Sequence, residues 1–358
     1  FYRNKANFIE AMKKLTDEYF INYCLDLAEK GLGKSYPNPI VGAVIVYRDK
    51  IIGKGWHEKA GGQHAEIRAI SDVKDKSLLS KSTMYVNLEP CCHYGKTPPC
   101  VDSIKKFSIP KVVIGSIDPN PKVSGNGIKT LRKSGCIVKY GVLKKETDFV
   151  NRRFLTFIQK KRPYIILKWA KTADNFIAPM DKEKKSRKVF WISNSYSRKI
   201  VHKWRGQEAA ILVGVQTIIN DNPKLTNRLS KENSPLRLVF DPNNRTPSNS
   251  FIIKDKNPTI FFNKEKEFDL GNGKKYVIIK PFRIEKFLSF CYLNEIQSII
   301  IEGGKKTLQK FIDTGYWDEA RVFTSSKKIE NGISAPNINN SVSYSKNIQG
   351  DNLDFYFN

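Results

Sequence analysis

Four residues in the first third of the chain have the types and order needed to activate water on a metal: His64, Glu66, Cys91 and Cys100. Imidazole nitrogen and thiolate sulfur are preferred zinc ligands, and three such ligands leave a fourth tetrahedral position open for water. Bound zinc lowers the pKa of that water to about 7. A glutamate beside the metal but not bound to it can then carry protons between water, a ring nitrogen and a leaving group. His64 and Glu66 flank one small residue, Ala65, at an expected helix start. Pro90-Cys91 closes an expected strand, and Cys100 opens the next expected helix. Taken singly, a surface histidine, a solvated glutamate and structural thiols are the plainer reading. Together at this spacing they favour metal-assisted hydrolysis.

The elements that must position these groups are legible from periodicity. Residues 16–31 have helical spacing, with Phe20, Cys24 and Leu27 on one face and Gly31 as a stop. Ile40 to Tyr47, a turn at Asp49-Lys50, and a strand from Ile51 predict a hairpin. A helix begins near His64, strands cover Thr83–Leu88 and Lys111–Ile117, and a helix runs from about Pro99 to Lys106. A turn-rich loop spans Asp118 to Gly127, a helix and strand follow to about Val142, and residues 145–161 read as one more helix. Arg162-Pro163 marks the boundary, after which strands are expected at Tyr164–Ala170, Ala209–Gly214, Leu236–Phe240, Thr259–Phe262, Tyr276–Ile279 and Ser298–Ile301. Helices are expected near 193–205 and 305–315, and the polar stretches 264–275 and 325–350 read as loops. This predicts an α/β chain with an extension at 1–15, a first domain at 16–160 and a second at 161–358.

With 358 residues, of which 40% are apolar and 11% aromatic, the chain has material for two packed cores. Three of the six cysteines fall between positions 91 and 100 and the rest are scattered, which fits metal binding in a reducing compartment better than a disulfide framework. Phe1 to Leu15 has no continuous apolar core, and no stretch approaches the ~20 apolar residues of a membrane span. A cytoplasmic protein without a membrane partner is therefore expected. The net charge of +27 invites a nucleic-acid reading. The lysines are spread among Asn and Ile, however, with no aromatic-interleaved basic stripe, so nucleic acid is not expected as a partner.

His-x-Glu upstream of Pro-Cys is the arrangement of zinc nucleobase deaminases. Those acting on nucleic acid or free cytidine usually carry Pro-Cys-x-x-Cys, whereas position 94 here is Tyr. The segment from Glu89 to Cys100 (EPCCHYGKTPPC) instead resembles the deaminase half of the bifunctional riboflavin-biosynthesis deaminase–reductase family. Gly55 to Glu66 (GWHEKAGGQHAE), Pro37 to Gly42 and Asp118 to Pro121 resemble it too. The resemblance implies His64, Cys91 and Cys100 as zinc ligands, Glu66 as proton shuttle, and Asn38 and His57 as pocket residues. Lys96 is weighed as a phosphate contact against plain solvent exposure. Cys92 and His93 tempt as extra ligands but sit in the loop between the two cysteine ligands.

The second half has no Gly-x-Gly-x-x-Gly after a strand, so a Rossmann site is not indicated. Ile299 to Gly304 running into a helix at Lys305 would make a phosphate cradle. Lys168 to Asp174, Trp191 to Ser193, Arg205 to Thr217 and Asp221 to Arg228 resemble the reductase half of the same family. On that resemblance the fold is a cytidine-deaminase-like three-layer domain followed by a dihydrofolate-reductase-like domain. Ala170, Trp191, Thr217, Asp221 and the loop of Gly304, Lys305, Lys306, Thr307, Leu308, Gln309 and Lys310 would touch NADPH. Val189, Arg205, Leu225, Arg228 and Glu302 would touch substrate, arginine being suited to phosphate. Lys168 and Asp174 are the candidates for proton traffic during reduction, weighed against a structural ion pair. The family usually has glycine where this chain has Asn175. The function implied is deamination of 2,5-diamino-6-(5-phosphoribosylamino)pyrimidin-4-one and NADPH reduction of its ribosyl group, in a homo-oligomer. A nucleic-acid-editing zinc deaminase with a basic RNA-binding second domain is the rival.

Overall fold

The computed structural model describes residues 15–95, 98–121, 123–180 and 190–358. The chain divides between Lys160 and Lys161 into two compact units. Among the described residues no helix is long and apolar enough to cross a membrane.

In the first unit, helix α1 (Asp17–Ala28) starts at Thr16, whose hydroxyl accepts the N–H of Tyr19. Then come β1 (Gly42–Tyr47), β2 (Lys50–Trp56), α2 (Ala65–Asp72), β3 (Thr83–Leu88), α3 (Cys100–Lys106), β4 (Lys111–Ser116), α4 (Asn126–Lys133) and β5 (Ile137–Tyr140). The sheet order is β2-β1-β3-β4-β5, with β1 antiparallel to β2 and β3, and β3, β4 and β5 parallel. Side chains alternate between faces along a strand. Ala43 and Ile45 pack with Ala65, Ala69, Val101, Ile104 and Leu131 from α2, α3 and α4. Val44 and Val46 pack with Phe20, Cys24 and Leu27 of α1 on the other face. The result is a helix–sheet–helix sandwich whose first layer carries α2 and α3, the two helices that begin at metal-ligand candidates. Gly55 on β2 makes this close approach possible: a Cβ there would lie 2.6 Å from both Ala65 O and Ala69 N.

The helix expected over 145–161 is two helices, α5 (Lys144–Val150) and α6 (Arg152–Lys160). They break at Asn151, which is 2% exposed. Its amide oxygen accepts the N–H of Ile40 and its amide nitrogen donates to the Ile40 carbonyl, both at 3.0 Å. A long-range demand on one side chain thus overrides local helical periodicity.

In the second unit, β6 (Tyr164–Lys171) and β7 (Phe176–Pro179) precede α7 (Ser195–Gln207), β8 (Ala210–Gly214), α8 (Val215–Asp221), β9 (Leu236–Phe240) and α9 (Phe251–Lys254). They are followed by β10 (Thr259–Asn263), β11 (Phe268–Gly271), β12 (Lys274–Ile278), α10 (Ile284–Leu293), β13 (Ser298–Ile301) and α11 (Lys305–Asp313). The chain ends with β14 (Glu319–Thr324), β15 (Gly332–Ser334), β16 (Tyr344–Ile348) and β17 (Asp351–Phe357). Ten strands form one sheet in the order β11-β12-β10-β9-β8-β13-β6-β14-β17-β16. Its centre is parallel, and β11, β17 and β16 pair antiparallel at the margins. The parallel centre is apolar on both faces, as helix-covered parallel strands are. Ile165, Leu167, Ile299 and Ile301 pack with Phe287, Leu288 and Phe311 of α10 and α11. Ile166, Ile211 and Ile300 pack with Val201 and Trp204 of α7. The stretches expected as loops hold β11, β15 and β16. β11 and β16 are margin strands, and β15 pairs with β7 in a separate two-stranded sheet. All their residues are exposed or half-buried, so they lack the apolar alternation that marks a strand in sequence.

Candidate functional site

His64 is the N-cap of α2, with extended backbone (φ −70°, ψ 160°), and Cys100 is the first residue of α3. Cys91 follows the end of β3 by three positions. One ligand atom from each lies within 4.8 Å of the others, the one such group of His, Cys, Asp or Glu among the described residues. Nδ1 of His64 is 3.5 Å from Cys91 Sγ and 3.3 Å from Cys100 Sγ. Zn–S of about 2.3 Å and Zn–N of about 2.05 Å in a tetrahedron would hold S and N about 3.6 Å apart. The donor set of two sulfurs and one imidazole nitrogen therefore fits zinc in both chemistry and size. The backbone N–H of Cys100 donates to Cys91 Sγ at 3.3 Å. Hydrogen bonding from Cys100 and His64 holds the Cys91 thiol down to about 4.

Glu66 lies in the first turn of α2 and is 3% exposed. Burial, helped by the charge at Cys91, pushes its carboxyl up to about 7, where it can both take and give a proton. His57 is 3% exposed. Its Nδ1 faces the Gln63 carbonyl at 3.2 Å, so Nδ1 carries the proton and Nε2 accepts from the Asn38 amide nitrogen at 3.1 Å. Burial pushes His57 below the ordinary imidazole value, which favours this neutral form. Asn38 and His57 are thus brought together, and the His57 ring stands edge-on to His64 with centroids 5.4 Å apart. Cys92 and His93 stand outside the donor set. Lys96 lies outside the described residues.

Glu89 is a residue that sequence reasoning passed over. It is 4% exposed, and its carboxylate accepts the N–H of Asp118 at 3.3 Å, Gly125 at 2.9 Å and Ile128 at 3.2 Å. It thereby ties the Pro90-Cys91 strand end to the 118–128 loop. Gly127 lies so close that a Cβ would sit 2.3 Å from the Pro90 carbonyl oxygen. The available signal was the acid's place directly before Pro-Cys.

In the second unit, Glu302 follows β13 and receives Arg205 Nε at 2.7 Å and Nη2 at 2.8 Å, with Lys168 Nζ at 3.4 Å. Burial alone would raise the Glu302 carboxyl, but the two cations hold it at about 2. Burial lowers Lys168 from the ordinary lysine value, with Arg205 adding to the effect. Lys168 therefore pairs with Glu302, not with Asp174. One Asp174 oxygen accepts the N–H groups of Ile329 at 2.9 Å and Glu330 at 2.8 Å, which fixes that loop. Asn175 has φ 68°, the left-handed conformation in which asparagine replaces glycine at least cost.

Arg228 is exposed, and its Nη1 donates to Thr226 Oγ1 at 3.0 Å. Leu225 is 3% exposed with its side chain in the core, so only its backbone is free to face a ligand. The starts of α8 and α11, with the glycines that precede them, interlock. The Gly214 N–H donates to Gly303 O at 2.9 Å, and Cβ atoms at Gly214 and Gly304 would lie 2.6 Å from Thr307 Oγ1 and 3.5 Å from Thr217 Oγ1. Gly304 caps α11 without a side-chain hydrogen bond, so the first turn keeps donors for a phosphate. Leu308 is core, and the Gln309 side chain is engaged by Asn337 and Asp313. Trp191 is half exposed, with Arg198 over its ring at 4.7 Å. Ala170 is half buried against the α7 core cluster, and Asp221 is the exposed last residue of α8. Val189 lies outside the described residues.

Comparison with known proteins places these sites in context. Residues 14–116 match the cytidine and deoxycytidylate deaminase zinc-binding region, and residues 163–329 match the RibD C-terminal domain. The riboflavin biosynthesis protein RibD of Aquifex aeolicus is 40% identical over 324 residues, covering 89% of each chain. That of Escherichia coli is 31% identical over 331 residues, covering 87% of this chain and 88% of its own. The crystal structure of a diaminohydroxyphosphoribosylaminopyrimidine deaminase/5-amino-6-(5-phosphoribosylamino)uracil reductase from Thermotoga maritima superposes with a TM-score of 0.87 at 34% identity. It covers 95% of this chain and 98% of its own.

Proposed function

The chain belongs to the RibD family of riboflavin-biosynthesis proteins, and from that premise we propose how its two units divide a deamination and a reduction between them. The first unit hydrolyses the 2-amino group of 2,5-diamino-6-(5-phosphoribosylamino)pyrimidin-4-one, exchanging it for a keto oxygen and releasing ammonia. The second reduces the ribosyl group of the resulting uracil to ribityl with NADPH. The observation that carries the reading is the convergence of His64 Nδ1, Cys91 Sγ and Cys100 Sγ beside the buried Glu66.

Zinc, when bound by His64, Cys91 and Cys100, supplies a Lewis acid that makes hydroxide available near neutral pH. Glu66 takes the proton that water gives up and delivers it toward the ring nitrogen and the departing amine. Asn38, one of whose amide hydrogens goes to His57 Nε2, keeps its carbonyl oxygen as an acceptor for a donor group on the pyrimidine. In the second unit NADPH, when bound, would supply the hydride that C1′ of the opened sugar needs. Lys168 holds the proton that the opening ring oxygen needs, and Glu302 fixes the Lys168 ammonium. Arg205 and Arg228 would meet the sugar phosphate, and the start of α11, where Gly304 brings no side-chain cap and Thr217 and Thr307 lie close to Gly304 and Gly214, would hold the cofactor phosphates. Asp174 acts by holding the 329–330 backbone. A cytoplasmic homo-oligomer acting on this small molecule is the setting we assign, and the +27 charge steers an anionic substrate rather than RNA.

Incubating the chain with the diaminopyrimidine phosphoribose, with and without NADPH, tests the reading through product masses. Exchange of amino for keto without cofactor, and two further hydrogens with it, is the expected pair of results. RNA binding tighter than micromolar that weakens steeply with salt would favour the editing alternative.

A further inference from the structure

His202 has no part in the chemistry above, yet it is only 6% exposed and lies three residues before Arg205 on the same face of α7. The two side chains grip one short piece of backbone. Arg205 Nη1 donates to the Thr226 carbonyl at 3.2 Å, and His202 Nδ1 accepts the N–H of Arg228 at 3.0 Å. Thr226, 8% exposed, then receives Arg228 Nη1 on its hydroxyl at 3.0 Å. The backbone at 226–228 is therefore held at a carbonyl and at an amide by α7, and the Arg228 guanidinium is folded back onto that held segment. The local charge is unbalanced. Arg205 and Lys168 share the carboxylate of Glu302, while the Arg228 guanidinium rests on a neutral hydroxyl, a grouping of cations suited to a phosphate dianion.

Resting on the reading of Arg228 as a substrate contact, we propose that His202 is a positioning residue whose Nδ1 lone pair sets where Arg228 meets the substrate phosphate. The role requires an unprotonated Nδ1, since an N–H there would confront another N–H. Burial, with Arg205 and Arg228 nearby, pushes His202 down to about 4, which keeps that lone pair available at neutral pH.

The test is steady-state reductase kinetics on the full chain with His202→Asn, His202→Gln and Arg228→Ala. An asparagine Oδ1 falls near the place of Nδ1, whereas a glutamine amide reaches toward Nε2 and leaves the Arg228 N–H without its acceptor. H202Q is expected to raise KM for the phosphoribosyl substrate about tenfold, the effect of one lost hydrogen bond. Its kcat and its KM for NADPH should stay within about twofold. H202N is expected to stay within about twofold of wild type throughout, and R228A to raise the same KM at least tenfold. An unchanged deamination rate and an unchanged NADPH-induced rise in melting temperature in each variant report a folded chain. H202Q indistinguishable from H202N, or a loss confined to kcat, would overturn the role of His202 while R228A still raised KM. A silent R228A would instead sink the substrate-contact reading, and the positioning role with it.

Discussion

Replacing Glu302 with glutamine removes the one carboxylate between Arg205 and Lys168 while keeping its volume. The Glu302 side chain is 7% exposed and the two cations are 14% and 15% exposed, so solvent screens little of the interaction. Being held at about 2 instead of the ordinary 4.5 corresponds to about 3 kcal/mol of folded-state stabilisation at neutral pH. Breaking one partner out of a buried ion pair costs a similar about 3–5 kcal/mol. In a unit of about 200 residues each kcal/mol moves the melting point by roughly 2–4 °C, so Glu302→Gln is expected to lower it by roughly 6–12 °C. The sign with pH follows from the lowered carboxyl. The contribution is fully present above the unfolded value near 4.5 and is lost as pH falls toward 2, so wild type and variant converge on acidification. Calorimetry of the full chain gives the assay. Added chelator marks the transition of the zinc-binding unit, and the other transition is the one to follow. A shift under 2 °C at pH 7, or a gap as wide at pH 3 as at pH 7, would refute the assignment of a charge-stabilised triad.

Three further outcomes concern the first unit. Glu66→Gln is expected to keep its zinc, measured by metal analysis, while deamination falls by about 10²–10⁴; retention of the full rate would remove Glu66 as proton carrier. Cys100→Ser is expected to lose zinc on dialysis against a chelator and to lower the first melting transition, with NADPH reduction of supplied uracil substrate unchanged. Gly127→Ala places a methyl against the Pro90 carbonyl and must shift the strand end that carries Cys91, at a cost of about 1–3 kcal/mol. Faster zinc release to a colorimetric chelator is expected, and release at the wild-type rate would show that this strand end tolerates movement.

Much of the first sheet and the grouping of His64, Cys91 and Cys100 were legible because their signals are local. His64 and Cys100 sit at helix starts that capping, glycine and proline cues announce, β1 is a continuous apolar run, and β3 is apolar but for Thr83 and Asn87. What escaped depends on partners far away in the chain. The break at Asn151 is set by Ile40, 111 positions earlier. The clamp at Glu89 is defined by amides at 118–128, and the pairing of Lys168 is decided by Glu302, 134 positions on. His202 looked like any polar helix residue until the backbone of Arg228 came to rest on its ring. The margin strands β11 and β16 escaped because neither has a buried residue, which leaves no hydrophobic period to read.

The strand order has a consequence for how the chain comes off the ribosome. All five strands of the first sheet, together with His64, Cys91 and Cys100, have been synthesised once Tyr140 emerges. The second sheet begins at its middle: β6 is made first but lies between β13 and β14, whose residues come after position 297. For more than a hundred residues of elongation Tyr164–Lys171 therefore has both hydrogen-bonding edges open, and six of its eight residues are apolar. Such a strand is a template for wrong pairing. A nascent reductase half is thus the aggregation-prone part of the chain, and the zinc-loaded half can be complete while its successor is still waiting for a neighbour.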